Sequence, residues 1–134
     1  GNQEDILGIP IGYTRTTQRS KWTEKSRRYE AWKEYVWKCV KTVVNTIPRY
    51  EEDEKIALEC RIWYKNKRRP DPGNVVKGIA DALADKKLTG ERCTYQEQRL
   101  YHDDKNVMER TISFDYNKGF PRVEAEIYSI EPEW

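Results

Sequence analysis

The residues most suited to chemistry lie in one short segment, RPDPGNVVKGIADAL, at positions 69–83. Its turn-forming residues lead into an apolar pattern that predicts a helix, with Asn74 as the N-cap and Asp85 at the end. At ~100° per residue, Asn74, Lys77, Asp81 and Asp85 fall together on the polar side of that helix. Two interpretations stay open: an ordinary surface ion pair between Lys77 and Asp81, or a site that uses the lysine and the acids.

A second acidic segment, YHDDKNV, places Asp103 and Asp104 directly before a predicted strand. Carboxylates from two distant segments are what a hard cation such as Mg²⁺ needs, and Mn²⁺ could replace it. A nearby lysine could offset charge on a phosphate or orient the attacking water. The alternative is a solvated turn. His102 is the only histidine, and we expect it to be structural because metal-assisted hydrolysis needs no histidine base.

Hydrophobic periodicity predicts the elements that must position these residues. Apolar residues recur every three or four positions from Thr23 to about Thr46, which predicts a long helix ended by Pro48. The segment KIALECRIWYK alternates apolar and polar residues, as in a strand with one buried face. Shorter β-like patterns occur in ILGIPIG, NVMERTISFDY and RVEAEIYSI.

The predicted order is strand, long helix, strand, short helix, strand, strand. This order favours an α+β fold, in which a small mixed β-sheet packs against one long and one short helix. At 134 residues, residues 1–134 should form a single domain. The last two strands should form a hairpin, with Met108, Ile112 and Phe114 on one side of the first of them.

Charge and cysteine content narrow the class of protein. The net charge is only +2, but basic residues concentrate at 15–41 and 65–69, where they could follow a phosphate backbone or simply form a solvated surface. The three cysteines have no metal-binding spacing, which fits a reducing cytosol. No apolar run reaches membrane-spanning length. We therefore expect a cytoplasmic protein without a membrane partner.

The two acidic segments carry a family resemblance. PDPGNVVKGIADAL together with HDDKNV resembles the RusA family of Holliday junction resolvases, and IPIGYTRTTQR and YEAWK are loosely similar to the N-terminal half of that family. The resemblance runs in order over nearly the whole chain. It implies a small homodimer of bacterial or phage origin that binds four-way DNA junctions and makes paired nicks by Mg²⁺-dependent phosphodiester hydrolysis.

The resemblance also implies roles for individual residues. Asp71 would be a metal ligand, Asn74 would hold the turn, and Lys77 would be the active-site lysine. Asp104 would be the downstream carboxylate, with Asp103 beside it. The residues expected to contact DNA phosphates are basic and lie beside or before the site: Lys65, Lys67, Arg68 and Arg69 first, then Arg15, Arg19, Lys21, Arg27 and Arg28.

The sequence departs from the family pattern at Gly73, where a second acid is expected two residues after Asp71. Asp81, Asp85 or Asp103 could supply the missing oxygen, water could fill the position, or the protein could bind junctions without cutting them. We favour a working or weakened nuclease. The alternatives are a non-catalytic binder of branched DNA and a small domain whose charged patches bind a protein partner.

Overall fold

The computed structural model describes residues 2–15, 17, 19–44, 54–84 and 104–130, with side chains omitted at 2, 3, 41–44 and 104. Its elements follow in the predicted order: β1 (Asn2–Leu7), α1 (Glu24–Val44), β2 (Ile56–Tyr64), α2 (Pro72–Ala84), a short 3₁₀ helix (Asp104–Asn106), β3 (Val107–Tyr116) and β4 (Arg122–Ser129). The strands form one mixed sheet, so the predicted α+β class is confirmed. None of the helices among the described residues is long and apolar enough to cross a bilayer.

The sheet has the strand order β1-β4-β2-β3. β4 pairs antiparallel with β1 and with β2, whereas β3 pairs parallel with β2. The predicted hairpin of β3 and β4 is therefore wrong, because β2 lies between them. The turn after β3 passes the end of β2, where the Asn117 amide donates to the Tyr64 carbonyl at 2.8 Å. The neighbour of β3 in the sheet is therefore β2, which lies about 50 residues earlier in the sequence, and not β4, which follows β3 directly.

The core lies on one face of the sheet. The alternation predicted for β2 is confirmed, since Ile56, Leu58, Cys60, Ile62 and Tyr64 are all buried. They join residues from both helices and from β1 and β4 in one apolar cluster: Ile6, Tyr29, Val36, Val75, Ile79, Val123 and Ile127 among others. Burial raises the pKa of the Cys60 thiol to about 12.

The long helix α1 begins as its sequence predicts. The Thr23 hydroxyl accepts a hydrogen bond from the Ser26 amide at 3.2 Å, which caps the first turn. Its predicted end at Thr46 and Pro48 lies outside the described residues. Near its other end, the Trp37 indole donates to the Ala82 carbonyl at 2.5 Å, so α1 is fixed directly against α2.

The edge strand β3 departs from its predicted pattern. The pairing Cys60↔Thr111 is followed by Arg61↔Ser113, so the ladder skips Ile112 in a bulge. As a result, Phe114 pairs with Ile62 on the core face, whereas Met108 pairs with Ala57 on the other. The prediction that Met108, Ile112 and Phe114 share one side is wrong, because a bulge reverses the alternation that follows it.

Candidate functional site

The N-terminus of α2 is built on Asp71. The helix begins at Pro72, and the Asp71 carbonyl accepts the amides of Asn74 at 3.0 Å and Val75 at 3.1 Å. The Asp71 Oδ1 atom also accepts the Gly73 amide at 2.8 Å. Asp71 is therefore the N-cap, followed by proline at the first helical position, and the prediction of Asn74 as the cap is wrong. Asn74 contributes to the turn through its backbone.

The connection from β2 to Asp71 is fixed by aromatic contacts. The Tyr64 hydroxyl donates to the Pro70 carbonyl at 2.8 Å, and burial raises the pKa of that hydroxyl to about 12. The Arg69 guanidinium lies 4.6 Å from the centre of the Phe114 ring, and its Nε atom donates to the Tyr116 hydroxyl at 2.9 Å. Of the four predicted phosphate contacts at 65–69, Arg69 is thus half-buried and held by β3. The other three are exposed.

Lys77 lies against an aromatic residue that the sequence analysis missed. Its Nζ atom is 4.3 Å from the centre of the Tyr13 ring, a cation–π distance. The Tyr13 ring in turn packs edge to face against Tyr29, with centroids 5.5 Å apart and planes at 74°. The Tyr13 amide donates to the Asn74 carbonyl at 2.9 Å. The sequence contains one weak signal for Tyr13, its position directly after the segment IPIG. Nothing in the spacing of Tyr13 and Lys77 along the chain indicates that the two side chains are in contact.

Two glycines allow the loop that carries Tyr13 to approach α2. A Cβ atom at Gly12 would lie 2.9 Å from the Pro70 Cβ atom. A Cβ atom at Gly78 would lie 3.2 Å from the Tyr29 ring and 3.4 Å from the Tyr13 amide nitrogen. The distances of 2.9 Å and 3.2 Å are shorter than ordinary van der Waals contacts. A side chain at Gly12 would therefore push against Pro70, and one at Gly78 would push against the Tyr29 ring.

Asp81 faces α1. Its Oδ2 atom accepts the Tyr29 hydroxyl at 2.6 Å and lies 3.5 Å from the Lys33 Nζ atom. Burial, followed by the hydrogen bond to Asp81, raises the pKa of Tyr29 well above its ordinary value. Lys33 is only 5% exposed and also lies 3.4 Å from a Glu30 oxygen. The possible surface pair of Lys77 and Asp81 is replaced by these contacts, and the Asp81 carboxylate serves as a link between the helices.

Asp104 lies far from Asp71 within one copy. Asp85 and Asp103 fall outside the described residues, as does His102, and only the backbone of Asp104 is described. Asp104 begins the 3₁₀ helix that leads to Val107, the partner of Ile56 at the start of β2. Asp71 follows the opposite end of β2, a strand of nine residues that spans roughly 26 Å. The structure does not bring Asp104 and Asp71 together.

The described side chains bring no cluster of further potential metal ligands to Asp71. Among residues with described side chains, no group of three or more histidines, cysteines or acids could hold a metal ion. Asp71 is the exposed carboxylate at the start of α2, and one of its oxygens already accepts an amide. A cation that keeps oxygen ligands from several carboxylates would need acids from elsewhere.

A cleft of about 340 Å³ opens beside Asp71. The loop at 9–14 forms one wall, and the start of α1 and the turn before α2 form the others. Its charged lining residues are Lys25, Arg28, Arg68 and Asp71. Both Arg68 and Arg28 were predicted from the sequence to contact DNA phosphates. Arg68 belongs to the basic residues at 65–69, and Arg28 belongs to those at 15–28. Arg15 and Arg19 are exposed but do not line this cleft.

Comparison with known proteins identifies the family of the chain. A search of curated proteins found no match. A protein-family model described as endodeoxyribonuclease RusA matches residues 9–128. This range includes the loop with Tyr13, the cleft, Asp71, Lys77, the strands β2 and β3, and β4 except for its last residue. Because this match covers most of the chain, the protein belongs to the RusA family of endodeoxyribonucleases.

Proposed function

We propose that the protein is a Mg²⁺-dependent endonuclease that cuts four-way DNA junctions as a homodimer. The observation that carries the proposal is the position of Asp71, the N-cap of α2, in a cleft lined by three cationic side chains. Lys77 lies on the same helix, against the ring of Tyr13, which also lines the cleft. Membership of the RusA family supports the reaction class. A polyanionic substrate and a hydrolytic site would then share one surface.

At the start of α2, the scissile phosphate would be bound by side chains and not by backbone amides. The amides of Gly73, Asn74 and Val75 are already bonded to Asp71, so anion binding at this helix end depends on side chains rather than on backbone donors. Lys77 carries the positive charge nearest to Asp71 along the helix, and Tyr13 holds its ammonium in place. Lys77 is therefore suited to neutralise charge that develops on the scissile phosphate.

A bound Mg²⁺ would supply Lewis-acid polarisation of the phosphate and a more acidic attacking water. Because Asp71 and the backbone of Asp104 lie at opposite ends of β2, a metal site that uses both acids needs a second copy of the chain. A homodimer would meet this need and would give the two equivalent sites that a two-fold junction requires. The separation of Asp71 and Asp104 thus supports the dimer.

Cleavage of a labelled synthetic four-way junction tests the reaction. We expect paired nicks with Mg²⁺ or Mn²⁺, no cutting of linear duplex, and loss of cutting in Asp71→Asn and Lys77→Gln. The control is Lys67→Gln, an exposed lysine outside the cleft, which should weaken binding only modestly. Equal cutting of junction and duplex, or full activity of Asp71→Asn, would contradict the proposal.

Mixing two inactive variants tests the shared site. Asp71→Asn and Asp104→Asn should each be inactive alone. If the acids come from different copies, a mixed dimer keeps one intact site and should nick junctions singly. If each copy holds a complete site, the mixture should stay inactive.

Gly73 favours a second candidate function, a non-catalytic binder of junctions. The family pattern expects an acid at this position, whereas here the Gly73 amide bonds to Asp71. Junction binding without cleavage under any metal, with cleavage gained by Gly73→Asp, would identify such a binder.

A further inference from the structure

We propose that the cleft beside Asp71 binds one unstacked nucleotide of the junction, with its base against the apolar loop wall and its phosphates on the cationic side. This inference rests on the proposed function, because it assigns a substrate element to the same surface. It adds a binding site for a base to a protein whose other contacts with DNA would be to phosphates.

The apolar wall is the first argument. Ile9, Pro10 and Ile11 line the cleft next to Tyr13. Ile9 is 52% exposed, although it lies in a loop where a polar residue would be cheaper to solvate. A base has two apolar faces, and packing one of them against such a wall removes apolar surface from water. A phosphate alone would make no use of these side chains.

The charge pattern is the second argument. Lys25, Arg28 and Arg68 line the cleft against a single acid, Asp71. Lys25 and Arg28 are one turn apart at the start of α1, so they face the cleft together, and Arg68 reaches it from the connection after β2. Three cations on one side and an apolar wall on the other match the two halves of a nucleotide.

The size and fixed shape of the cleft are the third argument. A volume of about 340 Å³ lies near the lower limit of small-molecule sites, ~300–1,000 Å³, and leaves no space for a stacked base pair. The loop wall is held by the Tyr13 amide on Asn74 and by the close approach of Gly12 to Pro70. Such a pocket suits a base that has left the stack.

The test uses a set of junctions, each with one 2-aminopurine at a different position around the branch point. The protein binds them in metal-free buffer, so that no strand is cut. This base fluoresces more strongly when it leaves the stack. We expect a rise at one position next to the cleaved bond. Ile9→Ala and Arg28→Gln should abolish the rise at saturating protein. The matched controls are Leu7→Ala and Arg61→Gln, which alter an exposed leucine and an exposed arginine outside the cleft and should preserve it.

The outcomes separate the two proposals. A rise that depends on Ile9 and Arg28 but not on Leu7 or Arg61 supports the nucleotide site. Tight junction binding with no rise at any position, or with a rise that all four variants keep, overturns the nucleotide site and leaves the proposed function standing. No junction binding by the wild type overturns both.

Discussion

Asp71 combines a structural and a chemical task in one side chain. It caps α2 through Oδ1 and presents the carboxylate that the proposed reaction needs. Asparagine caps helices about as well as aspartate, whereas alanine costs ~1 kcal/mol at this position. We expect Asp71→Asn to keep the urea unfolding free energy within ~0.5 kcal/mol of wild type while it abolishes cleavage. Asp71→Ala should lose both, and equal stability of the two variants would argue against the cap.

Gly73 is the residue at which an added carboxylate should matter most. A Cβ atom there would lie 3.0 Å from the Asp71 Oδ1 atom, so Asp71 must shift by a few tenths of an ångström. We expect Gly73→Asp to lower the Mg²⁺ concentration needed for half-maximal cleavage, because a second carboxylate adds a hard ligand. Gly73→Asn is the control, since it adds the same bulk without charge. If both variants lowered this Mg²⁺ concentration equally, the cause would be the changed backbone at position 73 and not a new carboxylate ligand.

The Tyr13 ring should control the position of the Lys77 ammonium. A cation–π contact is worth ~0.5–2 kcal/mol, so we expect Tyr13→Leu to lower kcat by about 2- to 30-fold. Tyr13→Phe keeps the ring and should retain the wild-type kcat. Single-turnover cleavage at saturating junction measures the effect. A similar loss in both variants would assign the role to the hydroxyl group instead.

At the scale of elements, the pairing of α1 with α2 depends on the buried Lys33. Asp81 and Glu30 both contact it, but only Asp81 also accepts the Tyr29 hydroxyl. Asp81→Ala leaves two buried polar groups without that carboxylate, and we expect a loss of ~1–3 kcal/mol in unfolding free energy. Glu30→Ala removes a pair that is open to water and should cost under ~0.5 kcal/mol. Urea denaturation distinguishes them, and equal losses would contradict this account.

Local patterns predicted the elements better than their partners. The repeat of apolar residues in α1 and the alternation in β2 follow from which face is buried, and the sequence carries that information directly. The pairing of β2 with both β3 and β4 depends on competition between distant segments, which no local pattern records. The bulge at Ile112 likewise has no sequence signal, because the segment TIS around it contains no glycine or other residue typical of a bulge.

The same limit applies to the site. The spacing of Asp71 and Lys77 on one short helix was visible because both lie within seven residues. Tyr13 and Lys33 reach that helix from the loop before α1 and from α1 itself, so only the folded chain reveals their contacts. The cap was misassigned to Asn74 because Pro72 and Gly73 looked like a connecting turn, although proline fits the first helical position.

At the scale of the whole molecule, the cationic surface should dominate DNA affinity. Each phosphate contact contributes about one unit to the slope of the logarithm of the association constant against that of salt concentration. We expect Arg68→Gln, at the cleft, to reduce this slope for junction binding by about 1. Lys118→Gln, on the turn after β3, should leave it unchanged, and fluorescence anisotropy at several salt concentrations measures both. An unchanged slope for Arg68→Gln would remove that residue from the DNA interface.

The position of β3 has a consequence for solubility. It is a ten-residue strand at the edge of the sheet, and in the described part of the chain only β2 adjoins it. Met108, Ile112, Phe114 and Tyr116 along it are all exposed, a combination that promotes strand-to-strand aggregation. The bulge at Ile112 interrupts the ladder, so a second β3 that aligned with one half would fall out of register in the other. The bulge at Ile112, which reverses the alternation of side chains along β3, should thus hinder polymerisation of the protein through this edge strand.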